Sequence, residues 1–301
     1  MARGNIPVVQ LRRLRGELRR ARELAGRTQK QVSEDLGWSL SKVIRQESGA
    51  QNISTADVMA LAHYYRIADH ALVSSLLAIT RAKEQVWWWD EYRDVYPKRF
   101  VEFLAYEHSA TSIRHFQSLT VPGLLQTERY ARTLLNIGQE SEAAELAVRV
   151  RLRRQEILDR ENGLEAQFIL DEAVIHRVVG GTEVMLEQLR RLRELNTRPH
   201  ITIQVVPFTA GVNAAINGPF AIFDFSPVRS NNAENNAENM DVDFVVNIEP
   251  ATNMESLIYD DPESASSYIE TFYEIRDMAM SAEQTDLLLE SKVASMLADV
   301  A

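Results

Sequence analysis

Between residues 9 and 83 the apolar positions recur at three- and four-residue spacing, the period of short helices that each bury one stripe. In the stretch 9 to 24, Leu11, Leu14 and Leu18 share a face with Ala21 or Ala25, and Arg12, Arg13, Arg15, Arg19, Arg20 and Arg22 wrap the rest. Thr28 is placed to cap a second helix from Gln29, in which Val32 and Leu36 sit four apart, and Gly37 ends it with the left-handed turn that glycine adopts without strain. Ser39 caps a third helix that turns Leu40, Val43 and Ile44 inward and Ser41, Lys42 and Arg45 outward. Ser54, three residues before Asp57, opens a fourth, with Val58, Leu61, Ala62 and Tyr65 buried. A fifth, from 69 to 83, carries Leu72, Leu76, Leu77 and Ile79. The expectation is a bundle of five short helices.

The texture then changes twice. Val86, Trp87, Trp88 and Trp89, with Tyr92 and Tyr96 close behind, form an aromatic cluster that suits a seam between a head and a body better than a ligand cage. From 100 to 159 the pattern is mostly helical: Phe103, Leu104, Glu107, Ala110 and Ile113 fall on one helix, and Thr127 caps the next. A longer helix, 142 to 159, carries Arg149, Arg151, Arg153 and Arg154 among Glu145, Glu156 and Asp159, which reads as a solvated or internally paired face. After Gly163 come runs of branched and aromatic residues bounded by Pro, Gly or Asn, at 167–170, 201–206, 220–225 and 244–248, the signature of strands. A helix from Thr182 to Leu195 lies between the first two, and the polar Asn-Ala-Glu repeat at 230–240 reads as a loop. Two helices follow, 262 to 278 with Tyr268, Phe272 and Ile275, and 282 to 296 with Leu287, Leu288 and Val293 and Leu297 just beyond. The fold class expected is mainly α, a five-helix head at 1–84 and an α+β body at 85–301 with helices packed on a small mixed or antiparallel sheet.

Charge sharpens this division. The 301 residues carry a net charge of -10, yet residues 1–66 hold 12 Lys and Arg against 6 Asp and Glu, a balance of +6, so the remaining 235 residues carry -16. A basic head on an acidic body places nucleic acid at the head and leaves the body for a basic partner. The sequence has no cysteine, which excludes disulfides, thiolate chemistry and cysteine-ligated zinc and suits a reducing cytoplasm. No stretch approaches the roughly 20 apolar residues of a membrane span.

Catalytic signatures are absent. There is no His-Glu-x-x-His, no phosphate-binding glycine loop and no Gly-x-Ser-x-Gly elbow, so neither an enzyme nor a cofactor is expected. His108 and His115, seven apart, would share a helix face beside Glu107 as a conceivable metal trio, although histidines at that spacing are more often core or surface residues. Gly180, Gly181 and Thr182 at a helix start suit an anion site or an ordinary capped turn. Asp171 with Glu172 and Asp260 with Asp261 are conceivable paired catalytic carboxylates, although nothing in the sequence brings them together and acidic pairs are common at element ends.

Two resemblances add function. Thr28-Gln29, Val32, Leu36-Gly37-Trp38-Ser39, Lys42-Val43, Arg45, Glu47 and Gly49 resemble the lambda-repressor-like, Xre-type helix-turn-helix. The resemblance implies that the second helix of the pair enters the major groove of a double-stranded operator, with Gln29 as backbone clamp. Leu40, Ser41, Lys42 and Arg45 are then candidate base readers and Ser39 belongs to the same contact set, while Glu47 is structural. Leu40 stands where relatives often carry a polar reader, so either it meets a thymine methyl or that role is lost. In the body, Val121-Pro122-Gly123-Leu124-Leu125-Gln126-Thr127, Tyr130-Ala131-Arg132, Leu170-Asp171-Glu172-Ala173-Val174, Val179-Gly180-Gly181 and Pro207-Phe208 are similar to the long C-terminal domain of actinobacterial Xre-type regulators. Those regulators are described as antitoxin-like and are commonly paired with a small protein. The implied function is a cytoplasmic, homodimeric transcriptional regulator whose body binds a small basic protein encoded nearby. The alternative is a one-component small-molecule sensor, or an enzyme-like body, carrying the same head.

Overall fold

The computed structural model describes residues 7–81, 87–135, 142–160, 164–211, 218–225, 244–248, 257–259 and 262–298. The chain divides into two compact units, Met1–Asp94 and Val95–Ala301. Val86, the boundary after residue 84, the 230–240 repeat and the Asp260-Asp261 pair lie outside the described residues.

The first unit holds the five helices expected of it: α1 (Pro7–Leu24), α2 (Gln29–Asp35), α3 (Leu40–Glu47), α4 (Thr55–Tyr64) and α5 (His70–Arg81). Leu14 and Leu18 of α1, Val32 of α2, Val43 of α3, Val58 and Leu61 of α4 and Leu76 of α5 make one buried cluster, so every helix contributes to a single core. After α5, Trp88–Tyr92 form one turn of tighter helix. The rings of Trp87 and Trp89 stack in parallel with centroids 5.2 Å apart, and Trp88 meets Trp89 edge-on at 5.5 Å. Tyr96 belongs to the second unit, 4.8 Å from the ring of Phe100.

The second unit is built on a six-stranded mixed sheet in the order β3-β2-β1-β4-β5-β6. Its strands are β1 (Ser112–Gln117), β2 (Glu165–Asp171), β3 (Ile201–Val206), β4 (Phe220–Asp224), β5 (Phe244–Ile248) and β6 (Leu257–Tyr259). The first three pair in parallel, joined by helical crossovers. These are α7 (Glu128–Leu135) and α8 (Glu142–Gln155) between β1 and β2, then α9 (Glu172–His176) and α10 (Gly181–Asn196) between β2 and β3. The last three add as antiparallel neighbours. Before the sheet stands α6 (Lys98–Ser109), and α11 (Pro262–Met278) and α12 (Ala282–Ala298) follow it.

Both faces of the sheet are covered. On one, Phe116, Ile169, Phe220, Ile222 and Val246 pack against Phe272 and Ile275 of α11. On the other, Ile113, Phe168, Ile203, Ala221 and Val245 are equally buried, and Phe103 of α6 reaches Phe223 at 5.7 Å between ring centres. The β3 edge meets two side chains and a backbone amide rather than another strand. Asn196 Oδ1 accepts from the amide of Ile203 at 2.8 Å, Thr285 Oγ1 accepts from that of Val205 at 3.1 Å, and the amide of Met280 donates to Val205 O at 2.8 Å. At these positions the outward ladder groups of β3 are already taken.

Two strands differ from the sequence reading. Ile113, assigned to a helix with Phe103 and Glu107, lies on β1, because α6 ends at Ser109. β1 pairs with β2 on one side and β4 on the other, yet Ser112, Arg114, His115 and Gln117 give it a polar composition that conceals a central strand. The three-residue β6 is the second addition.

Arginines of α8 are mostly paired within the body. Arg154 makes a two-pronged contact with Glu107, 2.7 Å on each prong, both side chains almost fully buried and the guanidinium 4.7 Å from the Phe103 ring. Arg151 donates to Gln126 at 2.9 Å and Arg153 pairs with Glu156 at 3.3 Å. Glu107→Ala is expected to lower the stability of the body by about 3–5 kcal/mol in urea denaturation, since it strands a buried cation. Replacing Glu107 and Arg154 together by Leu and Met should recover most of that loss.

Candidate nucleic-acid interface

The pair α2 and α3 is set by local chemistry before any packing. Thr28 and Gln31 form a reciprocal cap: the hydroxyl of Thr28 accepts from the Gln31 amide at 3.2 Å, and Gln31 Oε1 accepts from the Thr28 amide at 2.9 Å. Gly37, at a φ of +65°, makes the turn. Ser39 Oγ then accepts from the amide of Lys42 at 3.2 Å and starts α3.

Glu47, the last residue of α3, fastens three helices together. Its Oε1 accepts from Arg22 Nε of α1 at 2.7 Å, and its Oε2 accepts from Gln29 Nε2 of α2 at 2.8 Å and from Arg22 Nη2 at 3.2 Å. Burial works against the Arg22 cation, but the hydrogen bond and charge of Glu47 hold its pKa above the ordinary value. Gln29, the expected backbone clamp, is therefore anchored to Glu47 through one of its two amide hydrogens.

A second carboxylate holds the flank of α3. Asp57, in the first turn of α4, accepts from Lys42 Nζ on Oδ1 and from Gln46 Nε2 on Oδ2, each at 2.7 Å. The ammonium of Lys42 also lies over the Trp38 ring, 3.7 Å from its centre. Burial alone would raise the Asp57 carboxyl, yet hydrogen bonds from Lys42, Ser54 and Gln46 and the charge of Lys42 keep it below its ordinary value.

These contacts decide which side chains face outward. Val43 and Gln46 are the buried residues of α3, and Leu40 and Ile44, expected to point inward, are 41% and 44% exposed. The reason is Asp57: its carboxylate satisfies the Gln46 amide, so a polar residue takes the inner position one turn beyond Val43. Ser39 stands exposed at the cap, and Leu40, Ser41, Ile44 and Arg45 form the outer surface, with Arg45 Nε donating to Gln51 at 3.3 Å. Lys42 sits on the flank toward α4. The inward place of Gln46, the outward turn of Ile44 and the contacts of Asp57 with Lys42 and Gln46 escaped the sequence reading; the one available signal was the acid three residues after Ser54.

The body's candidate groups are engaged elsewhere. His108, near the end of α6, lies against Arg160, which donates to its carbonyl at 2.7 Å. Burial and then the Arg160 charge lower the His108 pKa to about 4, so the ring is neutral. His115 is on β1 with its ring 6.0 Å from Phe168, and Glu107 holds Arg154, so the trio does not share a helix face. Among the described residues no group of three His, Asp or Glu is placed to hold a metal ion. Asp171 caps α9 through the Ala173 amide at 2.8 Å, and Glu172 accepts from the Phe208 amide at 2.7 Å. Gly180, at a φ of +70°, lies where an added Cβ would stand 2.7 Å from Thr133 Oγ1, which accounts for the glycine by backbone and space. No helix among the described residues is long and apolar enough to cross a membrane.

The profile of a family described as Helix-turn-helix domain matches residues 10–76, and that of a family described as Domain of unknown function (DUF5753) matches residues 100–291. No curated protein and no solved structure matches the chain.

The Asp57 contacts give a signed pH dependence. Because the folded carboxyl titrates below its unfolded value, its stabilisation is complete above pH ~4 and is lost as pH falls through the folded pKa. Asp57→Asn should flatten that acid limb in a pH series of thermal melts, and lower the stability of the head at pH 7 by about 1–3 kcal/mol.

Proposed function

This chain belongs to the DUF5753 family and has a helix-turn-helix domain at its head, and from that premise we propose that it is a sequence-specific DNA-binding transcriptional regulator. The observation that carries the reading is the rigid presentation of α3. Glu47 and Asp57 fix one side of the helix, which leaves Leu40, Ser41, Ile44 and Arg45 as an outward surface of the kind that docks in a major groove. Arg45 is assigned base contact, and Gln29 and Ser39 contact the phosphate backbone at the ends of α2 and α3. The +6 balance of residues 1–66 supplies the attraction to phosphates.

The regulator acts as a homodimer, two copies of α3 entering successive major grooves roughly 34 Å apart on a near-palindromic operator. Its body is a binding module and not a catalyst, in keeping with the structural use of Asp171, Glu172 and Glu107. The -16 charge outside residues 1–66 suits a small basic protein as its partner, and an antitoxin-like role follows if that partner is toxic when alone.

Duplex selection from a random library with the full-length protein, followed by affinity measurement over a salt series, tests the regulator reading. Arg45→Ala is expected to weaken the selected duplex by about 1–3 kcal/mol while leaving random DNA almost unchanged. Equal losses on both would make Arg45 a phosphate contact, and no selected sequence at all would refute the proposal. For the body, purification from the native host should bring down a small basic protein that shifts the affinity for DNA.

A further inference from the structure

The outer surface of α3 has more apolar area than a purely hydrogen-bonding reader needs. Leu40 and Ile44 are one helical turn apart and each more than two-fifths exposed, beside Ser41 and Arg45. Lys42 is committed to Asp57 and Trp38, and Arg45 has its Nε on Gln51, so hydrogen-bonding capacity on this surface rests on one hydroxyl and the free end of one guanidinium. Isolated exposed apolar residues need no explanation. Two adjacent ones on the helix that a basic head offers to DNA do, because the branched Ile44 gains nothing for helix formation at an outward position. In the major groove the one apolar mark on a base edge is the 5-methyl group of thymine.

We propose that Leu40 and Ile44 form an apolar strip on α3 that reads thymine 5-methyl groups, so that part of the operator's sequence is specified by methyl contact rather than by hydrogen bonds. The proposal rests on the regulator reading, with the double-stranded operator as the occupant of this surface. The positive charge of the head favours that occupant over another protein's apolar face. Arg45 and Ser41 fix the register, and the strip discriminates at the neighbouring base pairs.

Uracil substitution isolates the effect, since it removes the methyl and leaves pairing, charge and hydrogen-bonding edges as they were. Each thymine of the selected duplex is replaced singly by uracil and the affinity of the full-length protein measured. At one or two thymines per half-site, the loss expected is about three- to fivefold for each methyl removed from an apolar contact. In Leu40→Ala and Ile44→Ala, both at exposed positions where alanine favours helix, the thymine and uracil duplexes should bind within about twofold of each other. A thermal melt close to that of the parent shows that the variants are folded. If the parent protein binds thymine and uracil duplexes alike while still preferring its selected sequence, the strip does not read methyls and the regulator reading stands. If the alanine variants weaken but keep the full thymine-over-uracil preference, the methyl is read elsewhere and the proposal fails. If no duplex is preferred over random DNA, the regulator reading itself falls.

Discussion

Three helices of the head share one carboxylate. Glu47 closes α3, and its two oxygens take Arg22 from α1 and Gln29 from α2, with the acid and Arg22 each about nine-tenths covered by neighbouring atoms. A charge so placed is favourable only while its partners stay in position, because water no longer competes for it. That constraint fixes the angle at which α2 delivers α3. The outward face of α3 is therefore a consequence of what its inner face must hold.

Asp57 completes the arrangement from the other flank. It takes a lysine that helix spacing alone would leave free and a glutamine that occupies an inner position, and both choices reshape the surface available to DNA. With Lys42 committed, the outer row is left with Leu40, Ser41, Ile44 and Arg45, half apolar and half polar. Arg22 and Lys42 are held in internal pairs, and a short mixed row is what remains on the outer face of α3.

The body solves a different problem. A mixed sheet buried on both faces has no solvated side on which to place polar residues, so its exceptions must find partners or stay few. At the β3 edge Asn196, Thr285 and the backbone of Met280 take the ladder groups of Ile203 and Val205. At the other side of the core, Arg154 and Glu107 neutralise each other beneath the Phe103 ring. Groups that looked available for chemistry along the chain are in this way absorbed as caps and pairs.

What the chain determines by itself is whatever depends on near neighbours. Caps at Thr28, Ser39 and Ser54, the glycine turn at Gly37 and the apolar stripe of Leu14, Leu18, Val32, Val43, Val58, Leu61 and Leu76 are all local, and they place the five helices and the recognition pair. Strands rich in branched residues at 201–206 and 244–248 are legible for the same reason. Only the tertiary structure decides the central β1, whose polar residues are covered by elements distant in sequence, and the strand order that follows from it. It also decides that Ile44 turns outward and Gln46 inward, because the deciding partner, Asp57, lies eleven residues beyond Gln46 and reaches it only once α4 is packed. Periodicity weighs a side chain by its own polarity, whereas burial depends on whether a partner arrives to satisfy it.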